Sequence, residues 1–218
     1  MPGYHRAAAP APRGVAVSPG EIALLGLAIV ATACTLALAL TNPAAWDHLG
    51  REDGPVENAD VVAFLLLAVV AARRFLRSPR GARAPSLAAM LLGVVGAGEE
   101  ISWGQRIFAV APPPFFAHHN VQGEINLHNL IPPPWDAVLA VVLFLGFCSS
   151  PLWRDRSWAR MLARRGLPWP RFVHVAVLVA CVTASLAVAL ITQAKNLEEV
   201  GELVFVLTVA AVWHGHGP

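Results

Sequence analysis

Six apolar runs separated by polar stretches divide the 218-residue chain, and each predicts a membrane-crossing helix. The first, from about Glu21 to Leu40, is long enough to span, since about 20 residues cover a hydrocarbon core of about 30 Å. Thr41, Asn42 and Pro43 stop it. A polar loop with Trp46, Asp47, His48, Arg51, Glu52 and Asp53 follows, and Pro55 suits the first turn of a second helix. That helix carries Glu57, Asn58 and Asp60 before the apolar run Val61 to Ala72. A third is predicted from Pro85 and Ser86 to about Phe108, where Pro112, Pro113 and Pro114 break the chain. The segment on to Pro134 is too polar to cross; Phe115 and Phe116 suit an interface there, and Gln122 to Leu130 a short helix. Further spans run from about Trp135 to Phe147 or slightly beyond, Phe172 to Thr192 and Leu197 to Trp213, the last short for a crossing. Residues 1–20, rich in Ala, Pro and Gly, read as a disordered tail. The remainder, 21–214, reads as one transmembrane helical domain with an outer-facing loop at 109–134.

Charge adds an orientation. Arg73, Arg74, Arg77, Arg80 and Arg83 lie between the second and third runs, and Arg154, Arg156, Arg160, Arg164 and Arg165 between the fourth and fifth. With Arg6 and Arg13 in the tail, the positive-inside rule places both loops and both termini in the cytoplasm. Only Arg51, Arg106 and Lys195 fall on the outer side, while every acid except Glu21 and Asp155 maps to the outer half. The reading is therefore an all-α polytopic bundle of about six transmembrane helices in a bacterial inner membrane. Composition agrees: 56% of residues are apolar and 14% charged, against roughly 25% charged in soluble domains. Cys34, Cys148 and Cys181 lie in apolar runs, where a thiol behaves as a small hydrophobe. Membrane lipid is the expected surrounding, and nothing suggests nucleic acid.

One stretch resists this apolar pattern. Gly98 to Asn129 reads GEEISWGQRIFAVAPPPFFAHHNVQGEINLHN and holds carboxylates, amides, histidines and an arginine in a chain otherwise dominated by Ala, Val and Leu. Ionisable groups at membrane depth are costly, so they point to function. EEISWGQRIF followed by HNVQGEINLHN resembles a motif of a family of small multi-pass bacterial membrane proteins, and REDGPVEN and NLEEVGEL extend the resemblance. It implies a multi-pass membrane protein and no particular chemistry.

Helical spacing puts Glu100 on one face with Gly93, Gly96, Ala97 and Gly104, a small-residue strip that lets a second helix approach. Glu99 lies on the side of Ser102 and Arg106, with Arg106 as part of its counter-charge. Glu99, Glu100, Ser102 and Arg106 are the candidate catalytic groups. Glu57 and Asp60 begin the second helix and Glu198, Glu199 and Glu202 the last, so carboxylates converge on one end. Glu124 and His128 are spaced to share a helical face. A divalent metal (zinc, manganese or iron) would resolve the repulsion, with Glu57, Glu100, Glu124, His128, Glu199 and Glu202 as candidate ligands. Structural readings compete. Acids at helix N-termini are favoured by the macrodipole, Glu99 and Glu100 can form a buried ion pair with Arg106, and His128 can cap a helix. The chemistry that fits is a metal-dependent hydrolase or oxidase acting on a lipid-like substrate. The alternatives are proton- or cation-coupled transport and a non-catalytic assembly subunit.

Overall fold

The computed structural model describes residues 16–51, 54–131, 135–194 and 196–215. Residues 1–15 of the expected tail, Glu52, Asp53, the prolines at 132–134, Lys195 and residues 216–218 lie outside them. Every regular element among the described residues is helical: α1 (Pro19–Thr41), α2 (Pro43–Leu49), α3 (Pro55–Arg77), α4 (Ala84–Glu100), α5 (Pro114–His119), α6 (Trp135–Trp153), α7 (Ser157–Arg164), α8 (Phe172–Thr192) and α9 (Glu198–Gly215). α1 and α8 are long and apolar enough to cross a membrane, and α6 with α7 makes a third candidate if that bent pair is one span.

Local chemistry sets the helix ends. Ser18 caps α1 through a capping box in which the Ser18 backbone N–H donates to Glu21 Oε2 at 2.7 Å, and Pro19 supplies the first turn. The helix thus begins inside the stretch assigned to the tail. Asn42 ends α1 and begins α2, its side chain accepting from the Ala45 N–H at 3.2 Å. That short helix was not foreseen, although an Asn-Pro pair is a start signal; it buries Trp46 against the bundle.

α9 is the axis of the fold. It packs on α1, α3 and α8, and Val200, Val204, Ala210 and Ala211 along it are fully buried. The run judged short for a crossing is therefore the innermost helix, which is why it is largely apolar on all sides beyond Glu202. α4 packs on α3 through the small-residue strip. A Cβ on Gly93 would stand 2.6 Å from the Phe64 carbonyl oxygen and 2.7 Å from the Ala68 nitrogen, so the α3 backbone fills the space a side chain would need. α6 touches mainly α8 and exposes Val138, Leu139, Val141, Val142 and Leu145. It runs to Trp153, past the predicted end at Phe147, and α7 then turns away from it by 99°.

The elements collect charge at opposite ends. At one end the start of α3, the end of α4 and the start of α9 carry the acids. At the other, Arg74 at the end of α3 stacks over Trp213 near the end of α9, 5.7 Å from the ring centre. Trp213 is thus buried against an arginine.

Candidate functional site

The predicted third helix stops at Glu100, eight residues before the expected end at Phe108, because Ser102, Trp103 and Gly104 take left-handed backbone angles (φ 46°, 54° and 77°). Such angles are costly for residues with a Cβ, so neighbouring contacts must hold them. The buried Ser102 hydroxyl supplies several. It donates to Glu124 Oε2 at 2.5 Å and accepts from Asn126 Nδ2 at 3.1 Å, while Arg106 reaches the same Glu124 oxygen at 2.9 Å.

The loop folds back over this turn and is held by side chains instead of a helix. Asn120 donates to the Asn126 backbone and side-chain oxygens at 2.9 and 2.7 Å, and accepts from the N–H groups of Gln122 and Glu124. Gln105 accepts from the Ile125 N–H at 2.6 Å. With these backbone donors committed, the helix expected from Gln122 to Leu130 does not form, and only His128–Leu130 make a single tight turn. Glu124 and His128 consequently share no helical face. Glu124 points into the Ser102–Arg106 pair, while His128 is exposed with Nδ1 3.6 Å from Glu99 Oε2.

Glu99 and Glu100 part company. Glu99 is buried and accepts from the Trp103 indole at 2.7 Å and from the backbone N–H groups of Leu127 and His128, the latter at 3.1 Å. Its partners are therefore an indole and two amides, and the expected counter-charge, Arg106, instead pairs with Glu124 and stands 3.9 Å from Glu57.

Glu100 belongs to a second group that includes an acid missing from the predicted ligands. Asp60 is fully buried, and neither of its oxygens has a hydrogen-bond partner among the described residues. The charges that bear on it are those of Glu100, Glu202, Glu199 and Glu57. Glu202 is exposed at this end of the bundle. Of the predicted ligands, the structure thus gathers Glu57, Glu100, Glu199 and Glu202 around Asp60, and holds Glu124 and His128 in the loop network. Among the described residues, no three His, Cys, Asp or Glu side chains stand close enough to hold a metal ion as they are placed.

The opposite end holds an ionic group that the sequence reading missed. Glu21 is fully buried and pairs with Arg171; Nε2 of the equally buried His174 lies 3.2 Å from the same carboxylate. His174 Nδ1 accepts from the Arg171 N–H at 3.0 Å, so the ring proton belongs on Nε2, facing Glu21. The hydrogen bond to the Arg171 N–H at the start of α8 holds the His174 ring inward.

No family model, curated protein or solved structure matches the chain.

Proposed function

We propose that the chain is a polytopic inner-membrane protein that binds a divalent cation among the acids around Asp60, and that the bound cation supports chemistry on a lipid-like substrate. In this reading α1, α3, α4, α6, α8 and α9 are six crossings, both termini are cytoplasmic, the acid end faces outward, and the sequence motif marks a family of such proteins. The charge distribution favours it: α3 begins with acids and ends with arginines, α4 follows arginines and ends with acids, and α9 begins with acids.

The observation that carries the cation is Asp60, a fully buried carboxylate with no hydrogen-bond donor on either oxygen. A group in that state is expensive unless a cation or proton joins it. The charged groups that bear on Asp60 are carboxylates, which suits a hard ion such as manganese better than zinc, and His128 lies in the loop beside Glu99. Binding would draw Glu57, Glu100, Glu199 and Glu202 toward Asp60. Such an ion supplies Lewis acidity for hydrolysis or a centre for oxidation, and Glu100, beside the loop, is placed to move protons. Exposed Phe115, Val121 and Leu127 on that loop give an apolar chain a route to the site. Transport is less well supported, because Thr32, Thr35 and Thr208 donate their hydroxyl hydrogens to carbonyls of their own helices instead of facing a shared path.

The test is metal content by mass spectrometry on detergent-purified protein, wild type beside Asp60→Asn and Glu99→Gln. The expected result is near-stoichiometric metal that is lost in Asp60→Asn and kept in Glu99→Gln. Folded wild type that holds no metal and takes up none from added manganese, zinc or iron would overturn the proposal.

A further inference from the structure

The arginine end carries a cleft that the acid cluster does not explain. α7 leaves α6 at 99°, which in the membrane reading above lays α7 along the surface. Its residues divide accordingly: Trp158, Met161 and Leu162 fall on one side, Arg160 and Arg164 on another. Trp158 packs edge-on against Trp169, and the Trp169 indole donates to the Ser150 carbonyl of α6 at 2.6 Å, which fixes α7 to the bundle.

Between α7 and the first turns of α4 lies a cavity of about 570 Å³, lined by Ala84, Pro85, Ala88, Leu162, Leu167 and Arg165. Sites for small apolar ligands run from about 300 to 1,000 Å³. The cleft is preformed. Gly166 (φ 93°) presses its backbone against Ala82 where no Cβ would fit, and Arg74 Nη2 donates to the Gly166 carbonyl at 3.3 Å. Arg165 is the one charged group in the lining, is exposed, and has no carboxylate partner among the described residues; the same holds for Arg77, Arg80 and Arg164 around it. Glu21, the buried acid at this end, is already paired with Arg171.

We infer that this cleft holds one anionic phospholipid of the inner leaflet, with its phosphate on Arg165 and an acyl chain along Ala84, Ala88, Leu162 and Leu167. The positive-inside rule accounts for arginines on this side, but it does not account for an apolar cleft opening beside one of them. A guanidinium offers a phosphate paired N–H donors, and the unpaired arginines nearby favour a lipid with net negative charge over a zwitterionic one. The inference rests on the membrane reading above and is independent of the cation.

The experiment titrates full-length protein in detergent with phosphatidylglycerol or phosphatidylcholine and counts retained lipid by native mass spectrometry. It compares wild type with Ala88→Trp, Arg165→Gln and Arg73→Gln. Ala88 is exposed, so the tryptophan fills the cleft without entering the core, and Arg73 is an exposed arginine outside the lining. One phosphatidylglycerol per chain is expected, retained at lipid concentrations about tenfold below those phosphatidylcholine needs. It should be lost in Ala88→Trp, weakened in Arg165→Gln and unchanged in Arg73→Gln. Equal retention of the two lipids, retention indifferent to both cleft variants, or equal weakening by Arg73→Gln and Arg165→Gln would overturn the site. Recovery of the chain in membranes, released only by detergent, checks the membrane reading separately.

Discussion

Glu99 Oε2 lies 3.1 Å from the backbone nitrogen of His128, so the returning loop is fastened to the end of α4 through main-chain donors and the imidazole is left outside. Hydrogen bonds from N–H groups to a carboxylate each contribute roughly 1.5–3 kcal/mol. Glu99→Ala should therefore loosen the loop at a cost of about 3 kcal/mol, whereas His128→Ala should cost under about 1 kcal/mol. Limited proteolysis between residues 105 and 131 checks the pair: rapid cleavage in Glu99→Ala and near wild-type resistance in His128→Ala are expected.

Asp60 should be a stability defect that the cation relieves. Asp60→Asn is expected to raise the melting temperature in chelator by a few degrees, because an unpartnered buried carboxylate is removed. The same variant should lose the rise that manganese gives the wild type, since a ligand that binds only the folded state stabilises it by mass action. Thermal unfolding with and without manganese measures both effects.

The backbones of α3 and α4 approach closely at Gly93. Gly93→Ala should force the helices apart, because the atoms a Cβ meets are the backbone of α3 and cannot move aside. Overpacking of this kind costs about 1–3 kcal/mol. Gly26→Ala is the control, since a Cβ there meets nothing within 4 Å. A cysteine pair across the α3–α4 contact, cross-linked in the wild-type background and in both variants, should report loss of proximity in Gly93→Ala alone.

At the arginine end, breaking a buried pair should hurt more than removing it whole. Glu21→Gln and Arg171→Met each leave an uncompensated partner and should cost about 3–5 kcal/mol. The double variant should recover a large part of that loss, which a double-mutant cycle in denaturant would read as coupling.

The helices were legible because their signals are local: apolar runs, Pro55 at a first turn, and Asn42 with Pro43 at a stop. What the sequence concealed depended on partners distant along the chain. Nothing near Ser102 announces that Asn126 and Glu124 will hold it in a left-handed turn, so a continuous helix to Phe108 was the natural expectation. The i, i+4 spacing of Glu124 and His128 suggested a shared face, but spacing means that only when the backbone N–H groups are free for a helix, and side chains had claimed them. Convergence of acids from several helices was visible. Which acid sits at the centre was not, because Asp60 differs from Glu57 only in burial, and burial is a property of the packed bundle. His174 shows the same limit, since its inward position follows from Arg171 meeting Glu21 150 positions away.

The central place of α9 bears on how the molecule is made. α1, α3 and α8 each present a face to a helix that the ribosome delivers after all three. Until it arrives those faces lack the helix they pack on, although α3 already has α4 and α1 already has α8 beside it. A chain cut before Glu198 would lack the piece that the others surround, and should be recognised by membrane proteases as an orphan instead of persisting as a smaller bundle.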